Sequence, residues 1–199
     1  YDQARRQALT NMESIRRSVT GERRPVIVAS STCTFTMRDE YPHVLGVGNE
    51  DVRDGIDLVT RFVYRIIDSG EARLRFRDDV RMKAAYHTAC HMERLGWSCY
   101  SIALLRMIPT LELTLLPSQC CGIAGTYGFK KENYAVSQGI GAPLFKTIEQ
   151  TDAEWVVTEC ETCKWQIEMS TSRRVLHPIS VLARMLDLEE TAGLNNRKQ

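Results

Sequence analysis

Hydrophobic residues recur along this chain at two spacings, and the change from one to the other marks its elements. Near the start, Leu9, Met12, Ile15 and Val19 fall at helical intervals and predict an amphipathic helix over 3–18. "PVIVASSTC", 25–33, is a short β-rich run that ends in small polar residues and Cys33. Helical spacing returns with Val52, Ile56, Val59, Val63, Ile66 and Ile67, predicting a helix over 51–68 that starts at Asp51 and is capped by Gly70. "EARLRFRDDV" is a charged connector.

From residue 80 the two spacings alternate. "VRMKAAYHTAC" predicts a strand running into Cys90, followed by a helix over about 95–108. "LELTLLPSQCC" predicts a strand that delivers Cys120 and Cys121. A glycine-spaced loop then leads to a helical region over about 132–150, striped by Val136, Ile140, Leu144 and Ile148. Pro143, Gly139 and Gly141 are expected to kink or divide it. "EWVVTECETC" is a further strand, ending at Cys160 and Cys163; "KWQIEMS" continues as helix, and "RVLHPISVLARMLDL" gives a last strand and helix. Strands alternating with helices imply an α/β fold with a parallel sheet and right-handed crossovers.

One stretch occurs twice. With Cys33 set against Cys163, "VIVASSTCTFTM" aligns without a gap on "VVTECETCKWQI", and Ser30 falls opposite Cys160. The chain therefore divides into the C-terminal half of a first cysteine-rich repeat (1–45), a helix and connector (46–79), a complete second repeat (80–188) and a polar tail (189–199).

Composition narrows the chemistry. The 199 residues are 43% hydrophobic and 26% charged, with a formal charge of +1, and the arginine pairs are interleaved with acids. That balance excludes a nucleic-acid-binding stripe. No apolar run approaches the roughly 18 residues of a membrane span and no signal peptide is present, so a cytoplasmic location is expected. The chain begins at Tyr1 and enters a helical pattern directly, as a fragment or processed chain would. Seven cysteines in a reducing compartment point to metal or redox chemistry rather than disulfides.

Five of those cysteines sit at strand ends. In an open α/β sheet ligands bind beyond the carboxyl ends of the strands, so Cys90, Cys120, Cys121, Cys160 and Cys163 are expected at one rim. Structural zinc closes at four ligands. A polynuclear iron–sulfur cluster has several metal atoms for thiolates to hold. The alternatives are a four-cysteine zinc site with a spare thiol, inert buried thiols, and a thioredoxin-like Cys160-x-x-Cys163, which leaves three cysteines unexplained. Cys99 reads as core filling, and Cys33 as a ligand of an incomplete first site or a solitary thiol. His91, beside Cys90, is a substitute ligand in principle; His43 and His177 sit beside prolines as turn residues. Gly122, Gly125 and Gly128 lack the Gly-Lys-Ser/Thr ending of a phosphate loop and read as allowing the backbone close to a cluster. Glu159 and Glu161 read as a solvated rim around Cys160.

The order Cys90, Cys120-Cys121-Gly122, Cys160-x-x-Cys163 resembles the cysteine-rich "CCG" domain of the B subunits of heterodisulfide reductases and their relatives. "SQCCGIAGTYGFKKENY", "TECETCKWQIEMSTS" and "SSTCTFTMRDEYPH" resemble the branch of that family formed by the C subunits of anaerobic glycerol-3-phosphate dehydrogenases. The resemblance implies a parallel-sheet, Rossmann-like cysteine-rich domain whose five cysteines, as metal ligands, hold a noncubane [4Fe-4S] cluster. It also implies an electron-transfer subunit without a catalytic residue of its own, passing electrons from flavin-containing dehydrogenase subunits towards the quinone pool. Such a protein would be cytoplasmic, held at the inner face of the membrane through partners. A zinc-stabilised interaction module, or a heterodisulfide-reductase-like subunit serving lactate or glycolate oxidation, is the alternative. The family's ferredoxin-like cysteine run does not occur in this chain, and Ser30 would leave a first site one thiolate short, with Cys33 as its residual ligand.

Overall fold

The computed structural model describes residues 1–196. Helix α1 (Asp2–Arg16) buries Ala8, Met12 and Ile15, while Leu9, expected on the same stripe, is exposed. Strand β1 (Val26–Val28) leads into α2 (Ser31–Phe35), and a short α3 (Tyr41–His43) follows. The expected helix over 51–68 is split. Residues Ile56–Leu58 form β2, paired parallel to β1, and only Val59–Asp68 form α4. Ile56 and Leu58 are buried, so neighbours on β1 and the core outweigh the fit of Ile56 to a helical pattern. Asp51 caps nothing and pairs instead with Arg16 at 2.7 Å.

The larger sheet is all parallel: β3 (Met82–Tyr86), β4 (Leu111–Leu115), β5 (Trp155–Val157) and β6 (Arg174–Leu176), in the order β4-β3-β5-β6. Helices α5 (Cys90–Leu95), α6 (Ser98–Arg106), α7 (Tyr134–Glu149), α8 (Glu161–Ser170) and α9 (Pro178–Met185) make the crossovers. Gly96, at φ +69°, separates α6, the helix expected over about 95–108, from the additional helix α5. Conversely α7 runs unbroken through Gly139, Gly141 and Pro143. Its buried line is Ser137, Gly141, Leu144 and Ile148, whereas Val136 and Ile140 are exposed. Leu188–Asn196 form α10, which takes in the described part of the expected polar tail (189–199); the rest of that tail lies outside the described residues.

Strand alternation assigns the two faces of the larger sheet. Ala85 and Val156 pack towards Leu144, Ile148 and Ile167 of α7 and α8. Tyr86 and Val157 pack towards Leu104, Leu105, Val181 and Leu182 of α6 and α9, with Val63 and Ile67 of α4 completing that side. A third cluster joins Met12 and Ile15 to Tyr41, Val52 and Ile56. The order β1–α2–β2–α4 matches β5–α8–β6–α9, strand for strand and both parallel. Among the described residues no helix is long and apolar enough to cross a membrane.

His177 ties the two halves together. Its Nε2 donates to Ala29 O at 2.9 Å, and its Nδ1 accepts from Ile179 N at 3.1 Å at the head of α9, which fixes a neutral ring. Burial pushes its pKa below the usual value. As pH falls the unfolded chain therefore takes up this proton first, so stability is complete above about 6.5 and declines towards the lower folded-state value. His177→Asn keeps a capping side chain without the titration. Urea denaturation between about pH 5 and 7 should show a shallower loss of stability in the variant.

Candidate metal centre

The crossover from β3 runs to β4 on one side of the sheet, and the chain then returns to β5 on the other. The loops beyond β3 and β5 consequently part, and a crevice opens at their carboxyl ends. All five strand-end cysteines arrive there. Cys90 is the first residue of α5, Cys120 and Cys121 follow β4, Cys160 caps α8 and Cys163 lies in its first turn.

Cys121 Sγ lies 3.2 Å from Cys163 Sγ, far outside the ~2.05 Å of a disulfide. Gly122 N donates to Cys120 Sγ at 3.3 Å, and Cys163 N donates to Cys160 Sγ at 3.4 Å. Cys90 feels the charge of both Cys160 and Cys121. All seven cysteines are free; Cys121, Cys160 and Cys163 are buried, and Cys90 and Cys120 are exposed. Hydrogen bonding with Cys120 and then with Cys163 holds the Cys121 thiol well below its ordinary value. Hydrogen bonding with Cys163 lowers Cys160 to about 6. The same contacts hold Cys120 and Cys163 up, and burial raises Cys90. Among the described residues no three His, Cys, Asp or Glu side chains are grouped as ligands of a single ion; these sulfurs close on one another in pairs.

The loop between β4 and α7 is built by close contact. Gly122, at φ +86°, leaves room only for a hydrogen: a Cβ there would stand 2.0 Å from Ser137 O. Ser137 Oγ donates to Gly122 O at 2.8 Å and accepts from Gln166 Nε2 at 2.9 Å. Ser137 and Gln166 are buried, and together they lock the Cys-Cys-Gly turn to α7 and α8. The glycines therefore bring the turn against α7, a role the glycine spacing alone did not indicate.

Several neighbours depart from expectation. Glu159 is buried, not a rim residue; it accepts from Tyr86 Oη at 3.0 Å, and burial pushes it up to about 7. The alternation Trp155–Val157–Glu159, which puts Glu159 on the inner face with Tyr86, was the available signal. Glu161 stays exposed and accepts from Ser30 Oγ at 3.1 Å. Cys99 is exposed rather than core filling. Cys33 is also exposed, and its backbone N donates to Ser30 Oγ at 3.3 Å just as Cys163 N donates to Cys160 Sγ. His91 sets its Nδ1 on Thr32 Oγ1 at 3.0 Å. His87 is buried with Nδ1 unpartnered, and it feels the charge of Cys121. A cavity of about 580 Å³, lined by Ser30, Glu159, Cys160, Lys164 and His177 among others, opens between the two halves.

The donor set fits an iron–sulfur cluster. It offers several free sulfurs, backbone N–H groups on two of them, and an apolar wall of Met92, Leu116, Ile123 and Phe145.

A family model described as "Cysteine-rich domain" (CCG) matches residues 84–168. The C subunit of the anaerobic glycerol-3-phosphate dehydrogenase of Escherichia coli (strain K12) is 60% identical over 185 residues, 93% of this chain and 46% of that protein. The chain thus spans about half the length of that curated relative. Lactate utilization protein A of Bacillus velezensis is 32% identical over 174 residues, covering 79% of this chain and 69% of that protein. Among solved structures, glutamate racemase from Francisella tularensis overlaps 87% of this chain and 60% of its own at a TM-score of 0.42 and 11% identity, a likeness that bears on neither fold nor function. A matched segment that begins on β3 and ends in α8, continued on both sides by sequence shared with these relatives, makes the chain a member of the cysteine-rich CCG-domain family.

Proposed function

We propose that the chain is an iron–sulfur electron-transfer subunit and that Cys90, Cys120, Cys121, Cys160 and Cys163 hold one [4Fe-4S] cluster of the noncubane kind. The observation that carries this reading is the gathering of five free thiols from three strand ends at one rim. The cluster would supply one-electron redox chemistry. The protein's part is to hold it, to present N–H groups to Cys120 and Cys160, and to wall it from water on the side of α7 and α8. Residues 80–188 are the complete site-bearing repeat and residues 1–45 the second half of another, in which Ser30 keeps the capping turn that Cys160 makes and gives up the sulfur.

Identity with the glycerol-3-phosphate dehydrogenase protein, 60%, well above that with the lactate utilization proteins, favours a place in anaerobic glycerol 3-phosphate oxidation. There it would take electrons from flavin-containing dehydrogenase subunits and pass them towards quinone, at the cytoplasmic face of the membrane through those partners. Anaerobic purification should give a brown protein with iron, acid-labile sulfide and a low-temperature electron paramagnetic resonance signal. Stoichiometric zinc without labile sulfide would decide for a zinc-stabilised module instead.

A further inference from the structure

The cysteine-rich repeat does not enclose its own site. The first turn of α2, from the other half of the chain, lies against it: Ser31 N donates to Glu159 O at 3.1 Å, Ser30 Oγ donates to Glu161, and Thr32 Oγ1 lies 3.7 Å from Cys160 Sγ. The same Thr32 oxygen lies 3.0 Å from His91 Nδ1, and the His91 ring stacks on Phe35 of α2 at 5.0 Å and 12°. His91 follows Cys90 in α5. Two candidate ligand segments are thus joined through one hydroxyl that belongs to neither.

The direction of these bonds follows from counting protons. A threonine hydroxyl has one proton and can also accept. As a metal ligand Cys160 is a thiolate with no proton of its own and can only accept, as its sulfur already does from Cys163 N. If Thr32 donates to Cys160, its oxygen is free to accept from His91, whose Nδ1 must then carry the proton. The stack on Phe35 holds the ring in the plane this requires.

We propose that Thr32 is a positioning residue contributed by the first repeat, and that the chain His91 Nδ1–H → Thr32 O–H → Cys160 Sγ raises the reduction potential of the metal centre. This rests on the electron-carrier reading above. A hydrogen bond to a ligating sulfur withdraws electron density and favours the more negative, reduced state. Linked donors polarise one another, so His91 strengthens the bond Thr32 makes. The potential is in this way set partly by how the two repeats pack, and the first repeat acts on the centre without supplying it a sulfur.

The test uses the full chain purified anaerobically, with Thr32→Val, which keeps the β-branched shape, and Thr32→Ser, which keeps the hydroxyl. At a fixed potential midway in the titration, the ratio of reduced to oxidised centre in Thr32→Val should be about tenfold below that of wild type, equivalent to about 59 mV for one electron. Thr32→Ser should recover most of the difference, with iron and sulfide content equal in all three. Nitrogen-15 NMR of the metal-free chain should find a proton on His91 Nδ1. Full cluster content with an unchanged potential in Thr32→Val, or an unprotonated His91 Nδ1, would overturn the hydrogen-bond chain and leave the electron-carrier reading standing. Wild-type protein without labile sulfide would overturn that reading, and the effect on potential with it.

Discussion

Cys121→Ser is expected to abolish the low-temperature resonance signal and to weaken iron retention at least about tenfold, since even outer-shell changes at metal sites reach that size. Cys121 is 3% exposed, lies 3.2 Å from Cys163 Sγ, and its thiol is held well below its ordinary value by hydrogen bonding with Cys120 and Cys163. A serine hydroxyl there stays protonated at neutral pH and is a harder donor than iron–sulfur chemistry favours. Cys99→Ser supplies the contrast. Cys99 is exposed on α6, where its thiol meets only Gly96 O, at 3.8 Å, among the described residues. Iron content and spectrum should be those of the parent protein. Equal behaviour of the two variants would remove the assignment of ligands.

A second large effect is expected at Gly122→Ala. The residue combines φ +86° with a Cβ position 2.0 Å from Ser137 O and 2.9 Å from Gly141 N, both backbone atoms that cannot swing aside. Strain and overpacking together should destabilise the chain by about 3 kcal/mol or more. The urea midpoint reads this directly, and iron content should fall with it because Cys121 is the preceding residue. Gly139→Ala separates clash from any general intolerance of α7. A Cβ at Gly139 meets nothing within 4 Å, and alanine in a helix is worth about 0.5–1 kcal/mol over glycine, so this variant should be slightly more stable.

The placement of the five cysteines at one rim was legible in the sequence because strand ends and cysteines coincide. Once "KAAY", "LELTL" and "WVV" are read as strands, the rim follows from the topology of an α/β sheet. What was not legible depended on contacts between distant segments. Ile56 fits a helical stripe with Val52, Val59 and Val63, and only β1, nearly thirty residues earlier, makes Ile56–Leu58 a strand. In α7 the apolar residues Val136 and Ile140 advertise one face, but the turn at Gly122 demands close approach. Ser137 and Gly141, small enough to permit it, are buried instead. Glu159 carries a charge in the sequence and loses its solvent only because Tyr86 stands opposite on the inner face. Thr32 left no mark at all: its role exists only where α2 meets α5.

Helix α4 follows the strand of the smaller sheet, yet its Val63 and Ile67 fill the side of the larger one covered by α6 and α9. Neither half can therefore melt while the other keeps its packing intact. Heat or denaturant should meet one cooperative unit, and a protease that nicks the connector between α4 and β3 would release no self-sufficient piece.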